Sequence, residues 1–181
     1  MTARTRIAAS GLLALVVMVV GPDRADLAPG RGPEVAPRPG GPQEAEVLAV
    51  MVDPRTQAHT VLLQGKRDRR QLAMAIGPAE ATGIAVPLHG VTPPRPLTHD
   101  LFLTLFGRLQ VSLTRVVITD LRDDVYYAVV HLRGHGGELT LDSRPSDAIA
   151  LAMRARAPVL VEDRVFDKGG LELPRARRPH I

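Results

Sequence analysis

Cysteine and tryptophan are both absent from the 181 residues. Without a thiol there is no disulfide, zinc–thiolate site, iron–sulfur cluster or cysteine nucleophile. Aromatic residues make up only 3%, which disfavours recognition by stacking on bases, the device of single-strand binders. Long hydrophobic runs are also scarce. With 45% hydrophobic and 23% charged residues, the chain is too polar for a polytopic membrane protein. Several chemical signatures are missing as well. There is no H-E-x-x-H, no G-x-S-x-G, no phosphate-binding G-x-x-x-x-G-K-S/T, and no glycine-rich turn of dinucleotide-binding form. No organic cofactor is therefore expected.

A large excess of positive charge is lacking too. The net charge is +4, from 23 basic and 19 acidic residues. Residues 1–44 hold 5 basic and 4 acidic groups, residues 45–168 hold 15 and 14, and residues 169–181 hold 3 and 1. The middle region is nearly neutral. Tight nonspecific binding of nucleic acid usually leaves a stronger electrostatic footprint, although a local basic patch stays compatible with these counts.

The length suits one domain with tails, or at most two small domains. Arg4 and Arg6 precede an apolar run over 7–21. A positive start followed by a short apolar stretch has the form of a secretory signal, and it is short of the roughly 20 residues of a full membrane span. Pro22 directly after Gly21 would hinder cleavage there. Besides a buried core helix at the N-terminus, two readings stand: export with removal of the leader, or export with the leader kept as a membrane anchor. Either places the protein outside the cytoplasm, periplasmic or otherwise extracytoplasmic, with the membrane reached only through this segment. Residues 22–44 hold six prolines and four glycines and read as an extended linker. Residues 169–181 read as a basic tail, leaving 45–168 as the folded domain.

Within that domain, β-rich runs at 46–53 and 58–64 flank Pro54, Arg55 and Thr56, a hairpin signal. A third strand is expected at 71–76. The spacing of Ala81, Ile84, Ala85 and Leu88 predicts a helix over 78–88, bent or ended by Pro87 and closed by Gly90. Leu101, Phe102, Leu105, Phe106 and Leu109 predict an amphipathic helix over 99–109, with Thr98 as its N-cap. Strands follow at 111–120, 125–133 and 138–142, then a helix over 145–155 with proline in its first turn, then a short strand at 158–161. Hairpin-linked, mainly antiparallel strands with three main helices make an α+β fold, a single compact domain.

One local arrangement recurs. Each of the three helices opens on a polar cluster: Gly77-Pro78-Ala79-Glu80, then Arg95-Pro96-Leu97-Thr98-His99-Asp100, then Ser143-Arg144-Pro145-Ser146-Asp147. Each has a carboxylate (Glu80, Asp100, Asp147) in the first turn, and two have an arginine just upstream. On the structural reading, first-turn carboxylates complement the helix dipole, by about 0.3–1 kcal/mol each, and the arginines simply pair with them. On the functional reading the helix starts converge on one cleft. Arg95, Thr98, Arg144 and Ser146 would then contact substrate phosphates. Glu80, Asp100 and Asp147 would act as bases or hold a divalent cation that activates water, and His99 would carry a proton. His59 and His131 lie in strands and read as surface or core residues. The 120–124 stretch reads as a solvated hairpin loop.

At these clusters the chain resembles a known family. IGPAEATGIA (76–85), GVTPPRPLTHDL (90–101), VVITDLRDDVYYAVV (116–130) and DSRPSDAIALAMR (142–154) are similar, in this order, to segments of the bifunctional nuclease domain. The resemblance spans about 45–168. It implies a compact, self-associating α+β domain, a dimer or other homo-oligomer, and hydrolysis of RNA and DNA. The motif positions are Glu80, Arg95, Thr98, His99, Asp100, Asp142, Arg144, Ser146 and Asp147. Residues 72–75 are less bulky than is usual for the family, and Pro87 interrupts a helix that is usually smoother. The expected function is metal-assisted hydrolysis of phosphodiester bonds with Mg²⁺ or Mn²⁺. The alternative is a noncatalytic ligand-binding or oligomerisation module of the same fold.

Overall fold

A computed structural model describes residues 40–171. The leader, the linker up to residue 39 and the tail beyond Leu171 lie outside the described residues. Eight strands and four helices follow in the order β1 (Gln43–Val52), β2 (His59–Gly65), β3 (Gln71–Ile76), α1 (Pro78–Leu88), α2 (Thr98–Arg108), β4 (Ser112–Arg122), β5 (Val125–Gly134), β6 (Gly137–Ser143), α3 (Pro145–Ala155), β7 (Val159–Val161), α4 (Asp163–Gly169) and β8 (Gly170–Leu171).

Local chemistry explains the hairpins. Between β1 and β2, Asp53 Oδ1 accepts the backbone N–H groups of Arg55 (2.7 Å) and Thr56 (3.2 Å), an Asx turn that closes the chain on itself. Between β4 and β5, Asp123 and Asp124 both take positive φ, 48° and 61°. That is the backbone of a two-residue primed turn, and aspartate tolerates it better than most side chains. The strands assemble in the order β6-β5-β4-β7-β1-β2-β3-β8. All neighbours are antiparallel except β4 and β7, so the α+β expectation holds. The short β7 joins the two hairpin groups: Val159–Val161 pairs with β4 on one side and β1 on the other.

The sheet curls strongly. Tyr126 on β5 reaches the Ala73 carbonyl on β3, 3.5 Å away, although four strands separate them in the order. The curled sheet encloses one core. Leu63, Leu72, Met74, Val116, Ile118 and Leu132 supply the strand side of it; Ile84, Ile149, Val165 and Phe166 supply the helix side. α1 packs on β1 and β2, α3 on β4 and β5, and both α1 and α2 pack on α3.

α3 occupies the expected 145–155. Pro145 stands at its start, where a missing N–H costs nothing, and its buried residues include three alanines, Ala148, Ala150 and Ala152. Small side chains there let α1 come close, so that a Cβ placed on Gly83 would lie 3.7 Å from Ala150 Cβ.

Two elements depart from expectation. The N-cap of α2 is Leu97 rather than Thr98, which is the first helical residue. Asp100 Oδ2 accepts the Leu97 N–H at 2.8 Å, and the carboxylate thereby does the capping that the hydroxyl was expected to do. The apolar stripe of α2 also stays largely in solvent: Leu101, Phe102, Leu105 and Leu109 are exposed, and only Phe106 reaches the margin of the core. The second departure is α4. Gly169 ends this helix, and Gly170–Leu171 adds a short strand beside β3, so ordered structure continues past residue 168.

Candidate active site at three helix starts

The first turns of α1, α2 and α3 meet. Gly77 caps α1 in an extended conformation, and Pro78 sets the direction of the first turn. Glu80 then turns its carboxylate back over Gly77, where a Cβ would obstruct Oε2. Arg144 is the N-cap residue of α3 and Asp147 lies in its first turn. One guanidinium joins these two starts. Arg144 Nη1 lies 2.8 Å from Glu80 Oε1. Its Nε donates to Asp147 Oδ2 at 2.6 Å, and its Nη2 donates to Asp147 Oδ1 at 3.1 Å. His99, in the first turn of α2, brings Nε2 to 3.4 Å from the same Asp147 Oδ1. Four of the expected residues thus form one cluster: Glu80, His99, Arg144 and Asp147.

The cluster is layered. Glu80 (18% exposed) and His99 (13%) lie low, while the Arg144 side chain is 64% exposed and lies across the carboxylates from the solvent side. The Asp147 hydrogen bonds and charge, then Glu80, raise the guanidinium pKa above its already high ordinary value, so Arg144 is a permanent cation.

Asp100 goes elsewhere. Its Oδ2 accepts the Leu97 N–H and its Oδ1 accepts Arg154 Nε at 2.8 Å. Burial alone would raise its pKa, but the Leu97 N–H and the Arg154 guanidinium outweigh that and hold it below the ordinary carboxylate range. His99 and Asp100 are neighbours on a helix, so their side chains diverge, one towards Asp147 and the other towards Arg154. Arg95 lies exposed on the connection between α1 and α2, Thr98 is exposed at the start of α2, and Ser146 is buried in the first turn of α3. None of the three makes an ion pair or hydrogen bond to the cluster of four.

Among the described residues, no three His, Asp or Glu side chains are grouped to hold a metal ion. Glu80 and Asp147 do share a cation, in the form of the Arg144 guanidinium. Two carboxylates are a fair match for Mg²⁺, which commonly keeps several waters and takes one or two carboxylates beside substrate phosphates. They would not make a closed cage.

Sequence reasoning assigned no role to Arg154 or Gly83. A signal for Arg154 was there: it follows Asp147 by seven residues, on the same helix face, and interrupts the apolar run of the helix.

The domain and its polar helix starts can be compared with known proteins. Two uncharacterized proteins of Mycobacterium tuberculosis (strains CDC 1551 / Oshkosh and H37Rv) are each 37% identical over 131 residues, covering 72% of this chain and 78% of the relative. Bifunctional nuclease 1 of Oryza sativa subsp. japonica is 32% identical over 89 residues, 48% of this chain and 27% of that protein. The sequence profile of the bifunctional nuclease domain matches residues 61–174, a stretch that holds every residue of the cluster and both of its neighbours, Gly83 and Arg154. With most of its fold and all of its candidate site inside that match, the chain belongs to the bifunctional nuclease domain family.

Proposed function

We propose that this domain hydrolyses phosphodiester bonds of RNA or DNA at the junction of the three helix starts, with Mg²⁺ or Mn²⁺ held by Glu80 and Asp147. The observation that carries the reading is the convergence of two carboxylates, remote in sequence, on one exposed guanidinium with an imidazole beside it. The name of the rice relative supports the substrate class. A divalent cation at the two carboxylates would polarise a phosphoryl oxygen and make bound water more acidic. Arg144 has the exposure and the fork of donors to leave the carboxylates and hold a phosphate through two hydrogen bonds. Arg95, exposed on the approach, adds a second positive group for the strand. His99 serves the proton transfers, its position being set by Asp147.

One observation favours the noncatalytic alternative: Arg144 already neutralises both carboxylates, as an arrangement that only stabilises the fold would require. The assay separates the two. The full chain is expected to cut RNA or DNA with Mg²⁺ or Mn²⁺ and to stop on addition of a chelator. Glu80→Gln, which keeps shape and removes charge, is expected to lower kcat by about 10²–10³-fold with little change in melting temperature. Metal-independent cutting, or full activity in Glu80→Gln, overturns the reading. A parent chain with no activity at any metal concentration favours the noncatalytic module.

Export, with the leader removed or kept as an anchor, rests on the charged start and apolar run of residues 1–21. Among the described residues no helix is long and apolar enough to cross a membrane. Self-association rests on the family and on the exposed apolar face of α2. Fractionating expressing cells and then weighing the released protein by light scattering tests both. The expected result is an extracytoplasmic or membrane fraction and a mass of two or more chains that falls to one in Leu105→Glu. A cytoplasmic, single-chain protein rejects both.

A further inference from the structure

Gly83 and Arg154 stand where the three helices of the site meet. Arg154 lies on α3 two turns after Asp147, and its side chain is 7% exposed. Its Nε donates to Asp100 Oδ1 at 2.8 Å, and its Nη1 donates to the carbonyl oxygens of Gly83 at 2.5 Å and Ala150 at 2.9 Å. One guanidinium therefore ties α1, α2 and α3 together. Its Nη2 is also buried and has no acceptor among the described residues. Burying a cation is unfavourable unless its hydrogen bonds are well satisfied, and an apolar side chain would join three helices at less cost. A buried, incompletely satisfied arginine calls for a further reason.

The geometry supplies one. Asp100 is held at both oxygens, by Arg154 on one and by the Leu97 N–H on the other. The second bond fixes the carboxylate on its own helix start, so the first restrains rotation of the first turn of α2 on α3. His99 belongs to that turn, and its imidazole lies directly against Gly83. A Cβ on Gly83 would sit 2.8 Å from His99 Cε1 and 3.2 Å from Nδ1. Those are ring atoms of a side chain that is itself largely buried, so the ring would have to move. With Gly83 clear and Asp100 fixed, Nε2 faces Asp147.

We propose that Gly83 and Arg154 are the positioning residues of the site. Arg154, acting through Asp100, sets the rotation of the first turn of α2. Gly83 leaves the seat in which the His99 ring lies. The consequence for turnover rests on the phosphodiesterase reading; the consequence for the His99 ring does not.

A merely structural clasp makes a different prediction. Gly83 lies inside a helix, where alanine is the better helix former, but its Cβ would press on the His99 ring; on that view Gly83→Ala shifts the melting temperature and leaves kcat unchanged. The experiment takes the full chain with Gly83→Ala, Arg154→Lys and, as a control, Gly107→Ala in α2, where a Cβ would meet nothing within 4 Å. Helix content by circular dichroism, the His99 ring resonances by NMR, and kcat and KM on RNA and DNA with Mg²⁺ are measured for each. Expected are a retained fold and displaced His99 resonances in Gly83→Ala and Arg154→Lys. Their kcat falls by about 10²-fold, the scale of a misplacement of about 1 Å, while KM stays within about threefold. Gly107→Ala matches the parent. Unmoved His99 resonances in folded Gly83→Ala overturn the proposal, as does an unchanged kcat in an active enzyme. If Arg154→Lys does not fold, Gly83→Ala decides alone. If the parent chain cuts nothing, the phosphodiesterase reading fails, and the His99 resonances still decide the positioning.

Discussion

Replacing Asp147 by alanine is expected to lower kcat/KM for phosphodiester cleavage by about 10³-fold or more while leaving the domain folded. Among the described residues, Asp147 is the one group that touches both Arg144 and His99. It accepts two hydrogen bonds from the first, at 2.6 and 3.1 Å, and lies 3.4 Å from the second. Its removal does three things at once. A carboxylate is lost from the pair that could hold a divalent cation. Arg144 is left with Glu80 alone, so the surviving carboxylate stays neutralised. His99 loses the acceptor that orients Nε2. Groups that act as a unit lose their effects together rather than one by one, so the single variant falls near the floor. Stability changes much less. The side chain is 31% exposed, and its contribution to the helix start is about 0.3–1 kcal/mol. Initial rates with Mg²⁺, measured beside a thermal melt, check both halves. An Asp147→Ala protein that cuts at the parent rate would remove Asp147 from the chemistry, and one that does not fold would move it to the scaffold.

The helix starts were legible because their signals are local. Pro78 and Pro145 are acceptable only in a first turn, and the carboxylates of Glu80, Asp100 and Asp147 favour the positive end of a helix, so three polar clusters could be marked as starts. That they meet is a tertiary fact, as is the parting of Asp100 from the other two. The residue that diverts Asp100 is Arg154 on another helix, and no periodicity says which partner a carboxylate will find. The same limit applies to the sheet. Hairpins follow from neighbouring strands and turn residues such as Asp53 or the Asp123–Asp124 pair. The insertion of β7 between β4 and β1 depends on three residues pairing with strands far along the chain. The amphipathic pattern of α2 was real, but a pattern does not name its partner, and here the core takes little more than the edge of Phe106. α4 gave the weakest signal. Seven residues with a single apolar pair, Val165 and Phe166, offer no period to read, and polar partners of the helix come from the β2–β3 turn. There Arg67 and Arg70 reach Asp163 at 2.5 and 2.6 Å, and Arg70 reaches Asp167 at 2.7 Å.

Phe166→Ala is expected to be the most damaging single change outside the site, costing about 3–5 kcal/mol. The ring is 3% exposed and belongs to the main core with Val165. Close packing means that neighbouring side chains would only partly fill the space it leaves. The ring also has a second role at its outer face, where the Arg70 guanidinium lies 4.9 Å from its centroid while bonded to Asp68, Asp163 and Asp167. Comparing the two partners separates packing from charge. Arg70 is about one-third exposed, so solvent screens its ion pairs, and Arg70→Ala is expected to cost about 1–2 kcal/mol, mostly through uncovering the ring and leaving Asp163 with one partner fewer. Against a total stability of roughly 5–15 kcal/mol for a domain of this kind, Phe166→Ala removes a large share, and its melting temperature should fall by roughly 10–20 °C. Urea unfolding of the two variants beside the parent gives the comparison. A Phe166→Ala cost below that of Arg70→Ala would mean that α4 is held on by its charges and that the core closes without it.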